Sequence, residues 1–244
     1  MTNKLTILII GGLIALIVVL LAVVVVTYKS PKTESGIKKE NGVMSKQEAE
    51  RRVEELKEKI KVPIDEETRE KIDGLVNDLA RDHEYTVEVN GRKYSVAWKA
   101  RGDLLRIGVA ALPQLIDAAT AHNNPSVRQD AVGTIYLGIK HAGDDKVLEY
   151  LPVFVRSTYD EDVEVRGTAT AQIANMARRF HSRKRQKELD QVIPYLVKAL
   201  SDKEGRTQAL VGDTLFWIGR KDLVPEELIK KHKLGKIIIT YGPS

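Results

Sequence analysis

Apolar residues recur at intervals of three and four from Ser45 almost to the end of the chain, the spacing that gives a helix one buried face. Val53, Leu56 and Ile60 mark a first stripe. It opens at Ser45-x-x-Glu48, where a hydroxyl and a carboxylate can satisfy free first-turn amides, and should close before Pro63. Asp65 is a good cap for a second helix reaching about Asp82, with Ile72, Leu75, Val76 and Leu79 inward. The period then changes to two. Tyr85-Thr86-Val87-Glu88-Val89 and Arg92-Lys93-Tyr94-Ser95-Val96 alternate around Asn90-Gly91, which predicts a hairpin over 85–96 with a type I′ turn. Helical spacing returns at Trp98 and predicts helices near 98–108, 111–121, 126–140, 145–157, 163–180, 187–200, 204–219 and 225–234. Ile237-Ile238-Ile239 is short and β-branched, so it reads as a strand or extended tail that could pair with a hairpin edge.

The first 28 residues follow a different rule. Leu5 to Tyr28 carries no charge, and its 24 residues would extend roughly 36 Å as a helix, enough to cross a hydrocarbon core of ~30 Å. The run is too long for the apolar part of a cleaved signal and leads into Val26-Thr27-Tyr28-Lys29-Ser30-Pro31 rather than a small-x-small site, so an uncleaved anchor is expected. Lys29, Lys32, Lys38 and Lys39 after it, against Lys4 and the amino terminus before it, favour a cytoplasmic C-terminal region; the periplasmic or extracellular side stays open. Gly11, Ala15 and Ala22 form a strip of small residues through which two such helices could meet as a homodimer. Residues 29–44 have the Gly, Pro, Ser and Lys content of a flexible tether.

Beyond the tether the chain repeats. Asn124-x-x-Val127-Arg128-x-x-Ala131, Asp162-x-x-Val165-Arg166-x-x-Ala169 and Asp202-x-x-Gly205-Arg206-x-x-Ala209 are spaced by 38 and 40 residues, while Pro113, Pro152 and Pro194 are spaced by 39 and 42. The Asn or Asp can cap a helix, the Arg one turn on can reach that cap and the neighbouring unit, and the Ala permits close packing. A periodic proline predicts a repeated bend or helix start. These motifs resemble the HEAT family of antiparallel helix-pair repeats, over about 110–220, with a degenerate fourth unit at 65–108 into which the hairpin is inserted. Asn124 in place of Asp, Gly205 in place of Val, and the missing Asp-Arg pairing in 98–108 depart from the family pattern.

The expected fold is therefore mainly α: a transmembrane anchor (1–28), a linker (29–44), and a domain (45–244) built as a short α-solenoid of HEAT-like helix pairs with one inserted β-hairpin. Resemblance to that family implies a protein-binding surface, with first helices lining one side and second helices the other. Arg128, Arg166 and Arg206 are then expected to form an internal ladder between repeats.

Candidate chemistry is sparse. There is no cysteine, so thiol catalysis, iron–sulfur clusters and Cys-based zinc sites are excluded. His83, His122, His141, His181 and His232 show no ligand spacing, and no phosphate-cradling glycine loop or Gly-x-Ser-x-Gly elbow occurs. No catalytic, metal or cofactor residue is assigned, and no cofactor is expected. Asp144-Asp145 and Asp160-Glu161-Asp162 fall where helices should begin, which predicts capping rather than acid–base roles. The one electrostatic outlier is 178–187, where Arg178, Arg179, Arg183, Lys184, Arg185 and Lys187 stand without an acid. These six are the candidate site for an anionic partner, the alternative being a solvated loop between units. Past the apolar segment, 38 Lys and Arg face 34 Asp and Glu, too even a balance for a broad phosphate-binding face.

The functional expectation is a single-pass membrane-anchored scaffold, held in the bilayer through residues 5–28, that presents a helical-repeat surface to a protein partner. It is not expected to be an enzyme. The alternative is nucleic-acid or anionic-lipid binding through 178–187, with nucleic acid the less favoured; a HEAT-like lyase-type enzyme has only fold analogy behind it.

Overall fold

Ser45 opens a helix as its sequence requires: its hydroxyl accepts the Glu48 amide at 3.1 Å, and α1 runs Lys46–Ile60. Only half of the capping box forms, because Arg51 and Arg52 engage the Glu48 carboxylate and draw its pKa down to about 2. The computed structural model describes residues 43–81, 86–89 and 92–235. The anchor at 5–28, the Gly11-Ala15-Ala22 strip, the Asn90-Gly91 turn and Ile237-Ile238-Ile239 lie outside the described residues, as does the linker except for Val43 and Met44. Those two belong to the folded unit rather than to a tether, since the unit begins at Val43 and Met44 is buried.

The described protein is mainly helical with one small two-stranded sheet. Asp65 caps α2 (Glu66–Asp78) through the Thr68 amide. β1 (Thr86–Val89) and β2 (Arg92–Ser95) pair antiparallel, Val87 opposite Tyr94 and Glu88 opposite Lys93, which is the predicted hairpin register. Ser95 then caps α3 (Val96–Ile107). Gly108 adopts φ 74, a conformation that L side chains rarely take, and a short 3₁₀ turn, Gly108–Ala111, follows before α4 (Leu112–Ala121). After α4 come α5 (Pro125–Ile139), α6 (Asp144–Glu149), α7 (Leu151–Ser157), α8 (Val163–Ser182), α9 (Gln186–Ala199), α10 (Gly205–Trp217) and α11 (Glu226–His232).

Most helix limits fall within a residue or two of expectation. Two exceptions are α2, which stops at Asp78 rather than near Asp82, and 145–157, which breaks at Tyr150 into α6 and α7 because Pro152 cannot donate to the preceding turn. Pro113 and Pro152 both sit in the first turn of a helix, where the missing N–H costs nothing. Pro194 lies inside α9 without ending it, so the periodic prolines do not play one common role.

The helices pack in two rows. α3, α5, α8 and α10 each contact the next in turn, and α2, α4 and α7 lie against them as the other row, with α9 packed on α8 and α10. The core between the rows contains Leu104, Ile116, Val132, Ile135, Phe154, Ile173, Met176, Phe180, Leu196 and Leu215, all nearly or fully buried. α1 is not part of either row. It lies across α4 and α7 and buries Ala49, Val53, Leu56 and Ile60 there. At the far end Leu234 packs so closely on Gly212 that a Cβ there would collide with its methyl, which seats the chain after α11 against α10.

Among the described residues one helical stretch, Val96–Ala121, is long and apolar enough to cross a membrane by length and composition. That stretch spans α3, the 3₁₀ turn and α4, and its Ala100, Leu104, Ala111, Leu115, Ile116 and Ala119 face the core, so it is slight support for membrane association.

Candidate functional site

Three turns between helices carry the periodic residues, and two of them share one set of bonds. Asn124 caps α5 through the Ser126 amide, and four residues on Arg128 donates to the backbone carbonyls of His122 and Asn123 and, through Nε and NH2, to Asp160 at 2.9 and 2.8 Å. One unit later Asp162 caps α8, and Arg166 donates to the carbonyls of Asp160 and Glu161 and to Asp202 at 3.1 Å. Each guanidinium closes its own turn and holds the carboxylate of the next. Asp160 in turn accepts the Asp162 amide, and Asp202 the Glu204 amide.

Burial alone would raise the Asp160 carboxyl, but the Arg128 hydrogen bond and the Asp162 amide outweigh it and hold the pKa below its ordinary value. Asp202 behaves alike: burial opposes, while the Glu204 amide and Arg166 prevail. The hydrogen bond to Asp160 raises the pKa of Arg128.

The third member of the series is displaced from its predicted position. The cap of α10 is Glu204, not Asp202, and the residue four places on is Gln208, whose Nε2 donates to the Asp202 carbonyl as Arg128 and Arg166 donate to theirs. Asp202 matches Asp160, and Thr207 matches the buried Val127 and Val165. Arg206 points outward instead. The true offset is 42 residues, the same as from Pro152 to Pro194. Among the described residues no later turn offers Gln208 a carboxylate; its Oε1 instead accepts from Lys231 Nζ and lies 3.1 Å from His232 Nε2, both on α11.

The six candidate cations of 178–187 do not form one free surface. Arg179, only 11% exposed, bonds Asp144 together with the Lys140 and Ala142 carbonyls that end α5. Arg183 shares Asp144 at 2.9 Å, and Arg185 bridges Asp145 and Glu188. Arg178 donates to the Thr214 hydroxyl on α10. Exposed Lys184, in a left-handed conformation at φ 57, and exposed Lys187 have no ion pair among the described residues. Asp144-Asp145 thus has a partner that local sequence did not disclose. The cap of α6 is Gly143, and the Asp144 side chain turns away to the arginines. Asp162, by contrast, is the cap its position predicted.

Two features had no sequence signal. Tyr94 and Trp98 stack at 4.2 Å and 12°, with Trp98 53% exposed, so the hairpin and α3 share an open aromatic surface. The second is the seat of α1. The Tyr159 hydroxyl donates to the Met44 carbonyl at 2.7 Å, and the Met44 amide donates to the Tyr195 hydroxyl at 3.4 Å. Glu50 pairs with Arg156 at 2.9 Å, Lys57 with Asp117 at 2.5 Å and Lys59 with Glu149 at 3.1 Å. A cleft of about 360 Å³ lies beside the start of α1, lined by Lys46, His122, Arg156, Tyr159 and Glu161 among others.

No group of His, Asp and Glu among the described residues is placed to hold a metal ion. No protein-family model matches this chain, and neither a curated protein nor a solved structure is similar to it.

Proposed function

We propose that the chain is a membrane-anchored scaffold, a short solenoid of HEAT-like helix pairs that binds a protein partner. The observation that carries this reading is the pair of links Arg128 to Asp160 and Arg166 to Asp202, in which one bonding pattern recurs from unit to unit. A pattern of that kind stacks units in line and leaves long helical rows open to a partner, which is the usual work of such stacks. The uncharged 5–28 segment supports attachment to the bilayer, and the lysines after it favour a cytoplasmic domain. Pairing of three of the six cations of 178–187, Arg179, Arg183 and Arg185, with Asp144, Asp145 and Glu188 counts against a phosphate-tracking groove and favours protein binding as the role.

Crosslinking in intact membranes, followed by affinity purification of the detergent-solubilised full-length protein, tests it. A discrete protein partner recovered in constant ratio is the expected result; an empty result across growth conditions would overturn the proposal. A reporter active on only one side of the membrane, fused to Ser244, is expected to be active in the cytoplasm and silent outside.

A further inference from the structure

We propose that the surface of α4 and α7 beneath α1 is a helix-binding groove, and that α1 is its built-in, displaceable occupant. The partner that fits is an amphipathic helix of another protein carrying the same stripe and the same charge order. This rests on the scaffold reading and assigns it a surface.

Four observations converge. First, α7 is buried over most of its circumference: Val153, Phe154 and Val155 follow one another without exposure, and only Pro152 and Arg156 reach water in part. A helix of a two-row stack needs only one apolar stripe, so the outward part of α7 is made for a further helix. Second, α1 meets that floor along one stripe only, four residues that join the apolar core. Ten of its fifteen residues are charged, and its buried face is the narrow line Ala49, Val53, Leu56, Ile60 at i, i+4, i+7 and i+11. Third, the rim is charge-coded. Arg156 takes the acid at Glu50, while Asp117 and Glu149 take the bases at Lys57 and Lys59, so a helix laid in reverse meets like charges at both ends. Fourth, the polar part of the fastening at Met44 falls on its backbone, while its side chain is buried in the core. Tyr159 and Tyr195 hold only the carbonyl and amide of the residue before the cap, bonds that any incoming helix can supply. α1 joins α2 through Lys61-Val62-Pro63-Ile64-Asp65, of which Ile64 packs on the core, and rotation about that link is the motion the proposal requires.

A labelled peptide of residues 43–61 serves as the probe, with full-length protein in detergent micelles. Weakening the resident helix by Val53→Asp with Leu56→Asp is expected to give saturable peptide binding, at least about tenfold tighter than to the natural protein, whose own helix competes. Arg156→Glu in the same background is expected to abolish that binding, and a peptide carrying Glu50→Arg to restore it. In the natural protein, hydrogen exchange at α1 amides is expected to run at least about a hundredfold faster than in α5 and α8. The proposal is overturned if the weakened variant stays folded and binds no peptide. Loss of its cooperative melt overturns it too, since α1 would then belong to the core, and so does α1 exchange as slow as that of α8. The milder pair Tyr159→Phe with Tyr195→Phe, which removes only the Met44 fastening, is expected to speed α1 exchange selectively; unchanged exchange counts against displacement. Failure here with a partner still captured in membranes would place binding on another surface, whereas failure of both would remove the scaffold reading itself.

Discussion

At the scale of single residues the protein depends on guanidinium–carboxylate pairs that water barely reaches. Arg128 and Asp160 have side chains 8% and 6% exposed, and removing one partner leaves the other buried and charged. Arg128→Ala is therefore expected to lower stability by about 3 to 5 kcal/mol in urea unfolding, while Arg128→Met combined with Asp160→Leu should recover most of that loss. Arg206→Ala, at an exposed position outside the bonding pattern, is expected to stay within about 0.5 kcal/mol of the natural protein. A comparable loss in both single variants would mean that the register built on Gln208 is wrong. Asp160 and Asp202 have folded-state pKa values below those of the unfolded chain, so their contribution is complete above the unfolded value of about 4 and disappears as pH falls through the lower folded values. Stability is expected to decline below about pH 4, less steeply in Asp160→Asn than in the natural protein once both are set equal at neutral pH. Melting temperatures across that range check the slope.

Among elements, the joints matter more than the helices. α5 ends where Arg179 takes the Lys140 and Ala142 carbonyls, and Asp144 holds that arginine in place. Asp144→Ala should cost about 3 to 5 kcal/mol despite lying in the first turn of a six-residue helix, because it strands Arg179. An effect of only a few tenths, the size expected for a surface charge near a helix end, would show that the pairing is not formed in solution. Gly212 works by close approach. Gly212→Val is expected to push Leu234 off α10 and destabilise by about 1 to 3 kcal/mol, with amide exchange accelerated in α11 before it changes in α5.

For the whole molecule the question is which surfaces remain for a partner. The row of α3, α5, α8 and α10 shows aromatic exposure at Trp98 and Trp217, while the row of α2, α4 and α7 is partly covered by α1. Three cations of the basic segment are ion-paired, leaving Lys184 and Lys187 exposed and Arg178 on a neutral hydroxyl, so duplex nucleic acid is expected to bind the full-length protein weakly at low salt and without a steep salt slope. A steep slope, reduced in Lys184→Gln with Lys187→Gln, would restore the phosphate-binding alternative. Much of this organisation was legible beforehand. The helices, the hairpin register, the caps at Ser45, Asp65, Asn124 and Asp162, and the inward stripes follow from periodicity and local hydrogen bonding. The third motif does not carry the bonding pattern of the first two because its Asp-x-x-x-Arg string lies two residues from the turn at Glu204 and Gln208, and the 42-residue proline interval already conflicted with a 40-residue arginine interval.

What the sequence by itself determined is everything that neighbours within a turn or two decide: which segments are helical, where they begin, which face is apolar, and that a charge-free stretch of bilayer length precedes them. Tertiary structure alone decided the partners of the charges and the place of α1. Asp144 meets Arg179 across 35 residues, Arg128 meets Asp160 across 32, and the Met44 amide meets Tyr195 across 151. The reason is physical. A helical period encodes the direction in which a side chain points, but a buried charge is satisfied by whatever opposite group packing brings within 3 Å, and no local pattern records which one that will be.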